Sequence, residues 1–209
     1  MNIKRITTNA IFLALLIVSA FISIPISEIS FTLQVLVVML ICLLLNPKDA
    51  LMIIGLYFVI GLLGLPVFSQ GGGPAYILKP SFGYLLGFIF VPLIRFLVLK
   101  IKTNKMMIKD ILTSVFGLLF IYLFGSIYFI FIMKTVNGIS YSVTKVAAIC
   151  IIPFIPFDIA KIVAANLITP ALRKIFNLEE KIQEIIPLKK RRTIIIKPNK
   201  NLTNKFKGR

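Results

Sequence analysis

Histidine and tryptophan are missing from the 209 residues, cysteine occurs twice, and aspartate and glutamate together number seven. Without histidine there can be no His-dependent triad, no His-ligated zinc, and none of the commonest general base at neutral pH. The two cysteines, Cys42 and Cys150, each sit inside an apolar run. They are too few for a disulfide scaffold or a metal cluster and read as small core residues. No GxxxxGK[ST] phosphate loop occurs, so the chain carries no Walker-type ATPase of its own. Charge is scarce as well, at 15% of residues against 58% hydrophobic, where a water-soluble domain has roughly a quarter charged. With a mean hydropathy of +0.98, the apolar excess must face lipid. The 24 Lys+Arg then argue for positive charge gathered beside a membrane and against nucleic acid.

A helix needs about 20 apolar residues to cross a bilayer. Cutting the chain at its polar interruptions leaves six candidate spans, at residues 6–24, 33–45, 50–65, 82–99, 111–133 and 145–175. The second and third are short, separated only by the NPKD break at 46–49, and are expected to tilt or kink. The first is too long for a signal peptide, and no small-residue cleavage site is followed by a soluble mature domain. With loops assigned alternately to the two sides, one side holds Lys4, Arg5, Lys48, Lys100, Lys102, Lys105, Lys109, Arg173 and Lys174. The other has only Lys79, Lys134 and Lys145. The positive-inside rule therefore predicts an all-α, six-transmembrane-helix bundle with both termini cytoplasmic. Residues 1–177 form the membrane domain. Residues 178–209, with ten Lys+Arg against three Asp+Glu and the KKRR run at 189–192, form a basic cytoplasmic tail that can rest on anionic headgroups.

An ionisable residue at mid-membrane depth costs several kcal/mol unless it is paired or serves a cavity. Asp158 and Lys161, in PFIPFDIAKIVAAN, meet that condition: at i and i+3 they share a helix face and can neutralise each other. Asp158 is the only acid well inside a predicted span. Pro153 and Pro156 just before it free backbone carbonyls, which is tolerable where a helix lines a protected cavity. A second candidate is the long outer segment at 64–88. Gly71, Gly72 and Gly73 there let backbone approach a ligand closely, in the company of Tyr76, Lys79, Ser81 and Tyr84. A third is the mouth of the second span, where Gln34 can donate and accept hydrogen bonds to a urea or amide and Phe31 can cover an apolar ring. Small residues four apart, Ala10 with Ala14 in the first span, Gly83 with Gly87 and Ala160 with Ala164, admit close helix approach.

Together FTLQ at 31–34, GLPVF at 64–68 with its following glycines, KPSFGYLLGF at 79–88 and PFDIAK at 156–161 resemble the BioY family. These are the biotin-specific substrate-binding (S) components of energy-coupling-factor (ECF) vitamin transporters. The likeness covers residues 5–175 and departs at Lys79, where a glycine is expected, and in the basic tail. It implies a six-helix bundle in the cell membrane that captures biotin from outside. Uptake then depends on a membrane coupling subunit and two ATPase subunits. It further implies that Asp158 and Lys161 contact the ligand and that Ala10 and Ala14 dock on the coupling subunit. Tyr84, Gln34, Phe31, Lys79 and Ser81 complete the set of candidate ligand contacts, and no cofactor or metal is expected.

The chemistry of biotin suits these residue types: a urea with two N–H donors and a carbonyl, an apolar bicycle, and a carboxylate on a flexible chain. Asp158 can accept a urea N–H, while Lys161 can serve the carboxylate or the carbonyl. The rival readings are an S component for another vitamin and a passive ion-conducting or structural bundle. An intramembrane enzyme would need clustered carboxylates, histidine or a metal site, which the composition opposes.

Overall fold

In the computed structural model, which describes residues 3–26 and 29–176, the chain is a helical bundle capped at one end by a hairpin and a long loop. The basic tail predicted at 178–209 lies outside the described residues. The helices are α1 (Ile3–Phe21), α2 (Gln34–Leu44), α3 (Pro47–Leu62), α4 (Phe82–Leu99), α5 (Met106–Thr135), α6 (Val143–Cys150) and α7 (Ile155–Phe176). Two strands, β1 (Ser23–Ile26) and β2 (Ile29–Thr32), pair antiparallel between α1 and α2, with Ser23 opposite Thr32 and Ile24 opposite Phe31. The bundle is mostly helical, as expected, and this short hairpin is its one added element among the described residues. SIPI at 23–26 and ISFT at 29–32 are two short runs rich in β-branched and apolar residues that pair with each other once the chain leaves α1.

Among the described residues, three helices are long and apolar enough to cross a membrane: Phe82–Leu99, Met106–Thr135 and Ile155–Ile175. The run predicted as one span at 145–175 is two elements, because Pro153 cannot donate into a continuous ladder and the chain turns through residues 151–154. Pro156 is then harmless in the first turn of α7, where amides have no intrahelical acceptor. The NPKD break does what short polar interruptions do. Asn46 caps α3 by accepting the Lys48 amide at 3.0 Å, with Pro47 in the first turn. The side chain of Asp49, in that same turn, is held by Arg5 of α1 at 2.6 Å.

Apolar side chains cover the outside as well as the inside. Ile11, Leu15 and Val18 on α1, Leu119, Leu123 and Ile127 on α5, and Val163 and Leu167 on α7 are all exposed. A surface of this kind suits hydrocarbon and not water. The interior is close-packed around Leu16, Met39, Ile54, Tyr57 and Ile121, each almost wholly buried. α4 and α5 approach so closely that a Cβ at Gly87 would come within 2.6 Å of Ile121 Cα. Gly125 of α5 leaves the space filled by the ring of Tyr84, which a Cβ there would meet at 2.5 Å. The spacing of small residues on α4 thus serves packing within the chain, and it fixes where Tyr84 stands.

Candidate ligand-binding site

A cavity of about 60 Å³ lies under the hairpin and the 64–79 loop, between α2, α4, α5 and α7. Its wall brings together Gln34, Ser81, Tyr84, Asp158 and Lys161 from the sequence-derived candidates, with Thr32, Tyr76 and Tyr122. Leu85, Phe88, Ile121 and Phe154 supply its apolar part. The last of these comes from the turn that separates α6 and α7, so that the break in the final run puts an aromatic ring against the chamber.

Asp158 and Lys161 emerge from the first two turns of α7 and are 4% and 7% exposed. Their side chains meet at 2.7 Å between Lys161 Nζ and Asp158 Oδ1. The other carboxylate oxygen accepts the Tyr122 hydroxyl of α5 at 2.6 Å. Lys161 also donates to the Thr32 carbonyl at the end of β2, at 2.6 Å, and its ammonium lies 3.8 Å from the centroid of the Phe31 ring. Counting capacity, two of the three ammonium protons are committed within the protein and one is free. Each Asp158 oxygen retains an acceptor position. The pair is thus neutral overall and still able to bind.

Gln34 is more fully engaged. Its Oε1 accepts from Thr32 Oγ1 at 3.2 Å, and its Nε2 donates to Tyr57 at 2.7 Å. Tyr57 passes its own proton to the Val67 carbonyl at 3.0 Å. The amide is therefore held in one orientation, with a single N–H to spare. Tyr84 donates to the Cys150 carbonyl at 3.1 Å, which ties α4 to the end of α6. Ser81 stands apart: its hydroxyl is buried on the cavity wall and has no partner among the described residues. A buried hydroxyl without a hydrogen bond costs about 1–3 kcal/mol, a deficit that a polar ligand atom would remove.

Phe31 and Lys79 do not line the cavity. Phe31 is half-buried and forms an edge contact with Phe157, at 4.9 Å between ring centroids, so that it shields Lys161 from outside. Lys79 donates to the Gln70 carbonyl at 2.7 Å and braces the loop. The triple glycine has a different use from close approach to a ligand. Gly71 and Gly73 adopt φ of +109° and +98°, and a Cβ at Gly72 would strike the Leu65 carbonyl at 2.1 Å, so the loop folds tightly on its own backbone. A hydrogen bond of 3.2 Å from Gln70 Nε2 to Ser30 Oγ then joins that loop to the hairpin over the chamber. Ala10 and Ala14 are both exposed, on the outward face of α1.

A second charged cluster lies further along the bundle. Asp110 of α5 is 3% exposed and accepts from Arg173 of α7 through both oxygens, each at 2.7 Å. Arg95 of α4, wholly buried, lies 2.8 Å from the same carboxylate. Arg173 also donates to the Leu43 carbonyl of α2 at 2.8 Å. Asp158 is therefore not the only acid buried among the helices. Asp110 falls just before the apolar run at 111–133, and α5 begins four residues ahead of it, which draws it inside.

An apolar-sided bundle with a partly unsatisfied acid–base pair on the wall of an internal chamber is a membrane-embedded binding protein. A sequence model of the BioY family matches residues 1–178, and the chain belongs to that family. It is 34% identical over 167 residues to a probable biotin transporter BioY of Lysinibacillus sphaericus, covering 80% of this chain and 85% of the relative. It is 33% identical over 173 residues to the biotin transporter BioY of Thermotoga maritima, covering 82% and 97%. Among solved structures, the crystal structure of the S-component for biotin from an ECF-type ABC transporter superposes with a TM-score of 0.71. That match has 29% identity and covers 82% of this chain and 92% of the other.

Proposed function

We propose that this chain is the biotin-capturing component of an ECF-type importer and that it has no catalytic activity of its own. The observation that carries the reading is the Asp158–Lys161 pair, held at 2.7 Å on the wall of a chamber that is otherwise aromatic, aliphatic and hydroxylic. Biotin needs this combination. A free carboxylate valence accepts a urea N–H, the spare ammonium proton meets its carbonyl or carboxylate, and the apolar walls take the bicycle. Because the two charges already neutralise each other, the ligand does not have to compensate a lone buried ion. Gln34, Ser81 and Tyr84 supply the remaining polar and aromatic contacts, while Phe31 and Lys79 support them from behind.

In this reading the bundle crosses the cytoplasmic membrane six times, with the shorter helices as tilted spans, both termini and the basic tail in the cytoplasm, and the hairpin outside. A membrane coupling subunit and two ATPase subunits complete the importer, and the exposed Ala10–Ala14 face of α1 is the docking strip. Isothermal titration of the purified chain against biotin, thiamine and riboflavin tests the ligand. Heat with biotin alone is expected, and heat only with another vitamin would reassign the site. Replacing Ala10 and Ala14 with leucine should abolish co-purification with the coupling subunit at unchanged biotin affinity.

A further inference from the structure

Tyr122 lies on the chamber wall at mid-length of α5, with 8% of its surface exposed. Its hydroxyl donates to Asp158 Oδ2 across the α5–α7 interface at 2.6 Å. Among the described residues Asp158 has one other hydrogen-bonding side chain, Lys161, and that bond is made to the opposite oxygen. The two donors therefore divide the carboxylate between them. Lys161, on the same helix, supplies charge, and Tyr122, from a neighbouring helix, fixes the direction in which the carboxylate plane faces. With Tyr84 donating instead to Cys150, no other tyrosine on the wall performs this task.

We infer that Tyr122 is a positioning residue for ligand recognition: it acts through Asp158, keeping the carboxylate turned so that its remaining lone pairs face the chamber. A second consequence concerns polarity. Because the phenolic proton is committed to the carboxylate, Tyr122 adds no donor beside Asp158, and the spare Lys161 proton is the donor next to these acceptors, a combination that fits an N–H beside a carbonyl. This inference rests on the proposed biotin site and assigns the urea edge, not the carboxylate, to the α5–α7 side.

The test is a double-mutant cycle read by biotin titration with Tyr122→Phe, Asp158→Asn and the double variant. The Phe variant keeps the ring and its packing and removes one oxygen. Tyr122→Phe alone should weaken biotin about tenfold, or about 1.4 kcal/mol. In the Asp158→Asn background it should cost less than about twofold, because the group it positions is gone. Losses that multiply would overturn the inference, since a tyrosine that only packs, or that touches ligand independently, behaves that way. A structure of the ligand-free Tyr122→Phe variant decides the positioning separately. An Asp158 carboxylate rotated from its present place supports the role, and one unmoved refutes it. Should the unaltered chain fail to bind biotin, the ligand assignment falls, while that structure still settles what Tyr122 does to Asp158.

Discussion

The two buried acid–base clusters, Asp158 with Lys161 and Tyr122, and Asp110 with Arg95 and Arg173, are built from similar groups and do opposite things. They are separated by the 15 residues from Asp158 to Arg173 on α7, about 22 Å at 1.5 Å per residue. Around Asp110 every carboxylate oxygen is taken by guanidinium donors from two helices, and the Leu43 carbonyl of a third helix absorbs a further N–H. Around Asp158 one ammonium proton and two acceptor positions are left over, and a chamber adjoins them. In the proposed reading, spare valence beside space makes the first a binding site. Two guanidinium groups on one carboxylate, off the chamber wall, make the second a clamp across α2, α4, α5 and α7.

The largest effect that should break this comparison is at the clamp. Asp110→Asn leaves two buried guanidinium groups without their anion and should cost about 3–5 kcal/mol of stability. It should appear as a large fall in thermal unfolding temperature, with any biotin bound by the surviving folded protein held normally. Asp158→Asn inverts the pattern: affinity falls at least tenfold, about 1.4 kcal/mol, with a smaller loss of thermal stability. Equal biotin affinity for this variant and the parent would remove Asp158 from the site. Ser81→Ala sharpens the contrast further. Its hydroxyl has no partner among the described residues, so unfolding should be unchanged or slightly improved, and biotin should weaken by about 0.5–1.5 kcal/mol, the worth of one neutral hydrogen bond. The smallest effect is expected at Lys79→Met, which removes a brace to Gln70 outside the chamber. Titration should show less than about a twofold change, and a tenfold loss would return Lys79 to the ligand contacts.

What the sequence could reveal follows the same division. The Asp158–Lys161 pair is legible because its members are i and i+3 on one helix, where spacing alone implies contact. Gln34, Ser81 and Tyr84 were legible as polar groups at the mouths of apolar runs. Tyr122 was not, since nothing in the middle of a 30-residue apolar helix marks one tyrosine as the partner of an acid 36 residues on. The Asp110–Arg173 contact spans 63 positions and joins two residues that hydropathy alone assigns to polar boundaries. Arg95, a lone basic residue in the apolar run at 82–99, finds its anion only when Asp110 arrives from another helix. The membrane character of the bundle was plain from composition, whereas the hairpin and the break at 151–154 depend on how short segments pack once the long helices are in place. Pro153 stood inside what reads as one continuous span at 145–175, and only the packed structure shows that the chain turns there and sets Phe154 against the chamber.

The hydrogen bond between Gln70 and Ser30 has a kinetic meaning that its modest strength conceals. One end of the vessel is riveted by ionic contacts that would take several kcal/mol to open, while at the other the hairpin and the 64–79 loop are joined to each other by a partly exposed amide–hydroxyl bond worth about 1 kcal/mol. Thermal fluctuation will lift that flap far more often than it loosens the rivets. In the proposed reading a ligand passes beneath that flap, and its residence time is set by its grip on the Asp158–Lys161 pair more than by the catch.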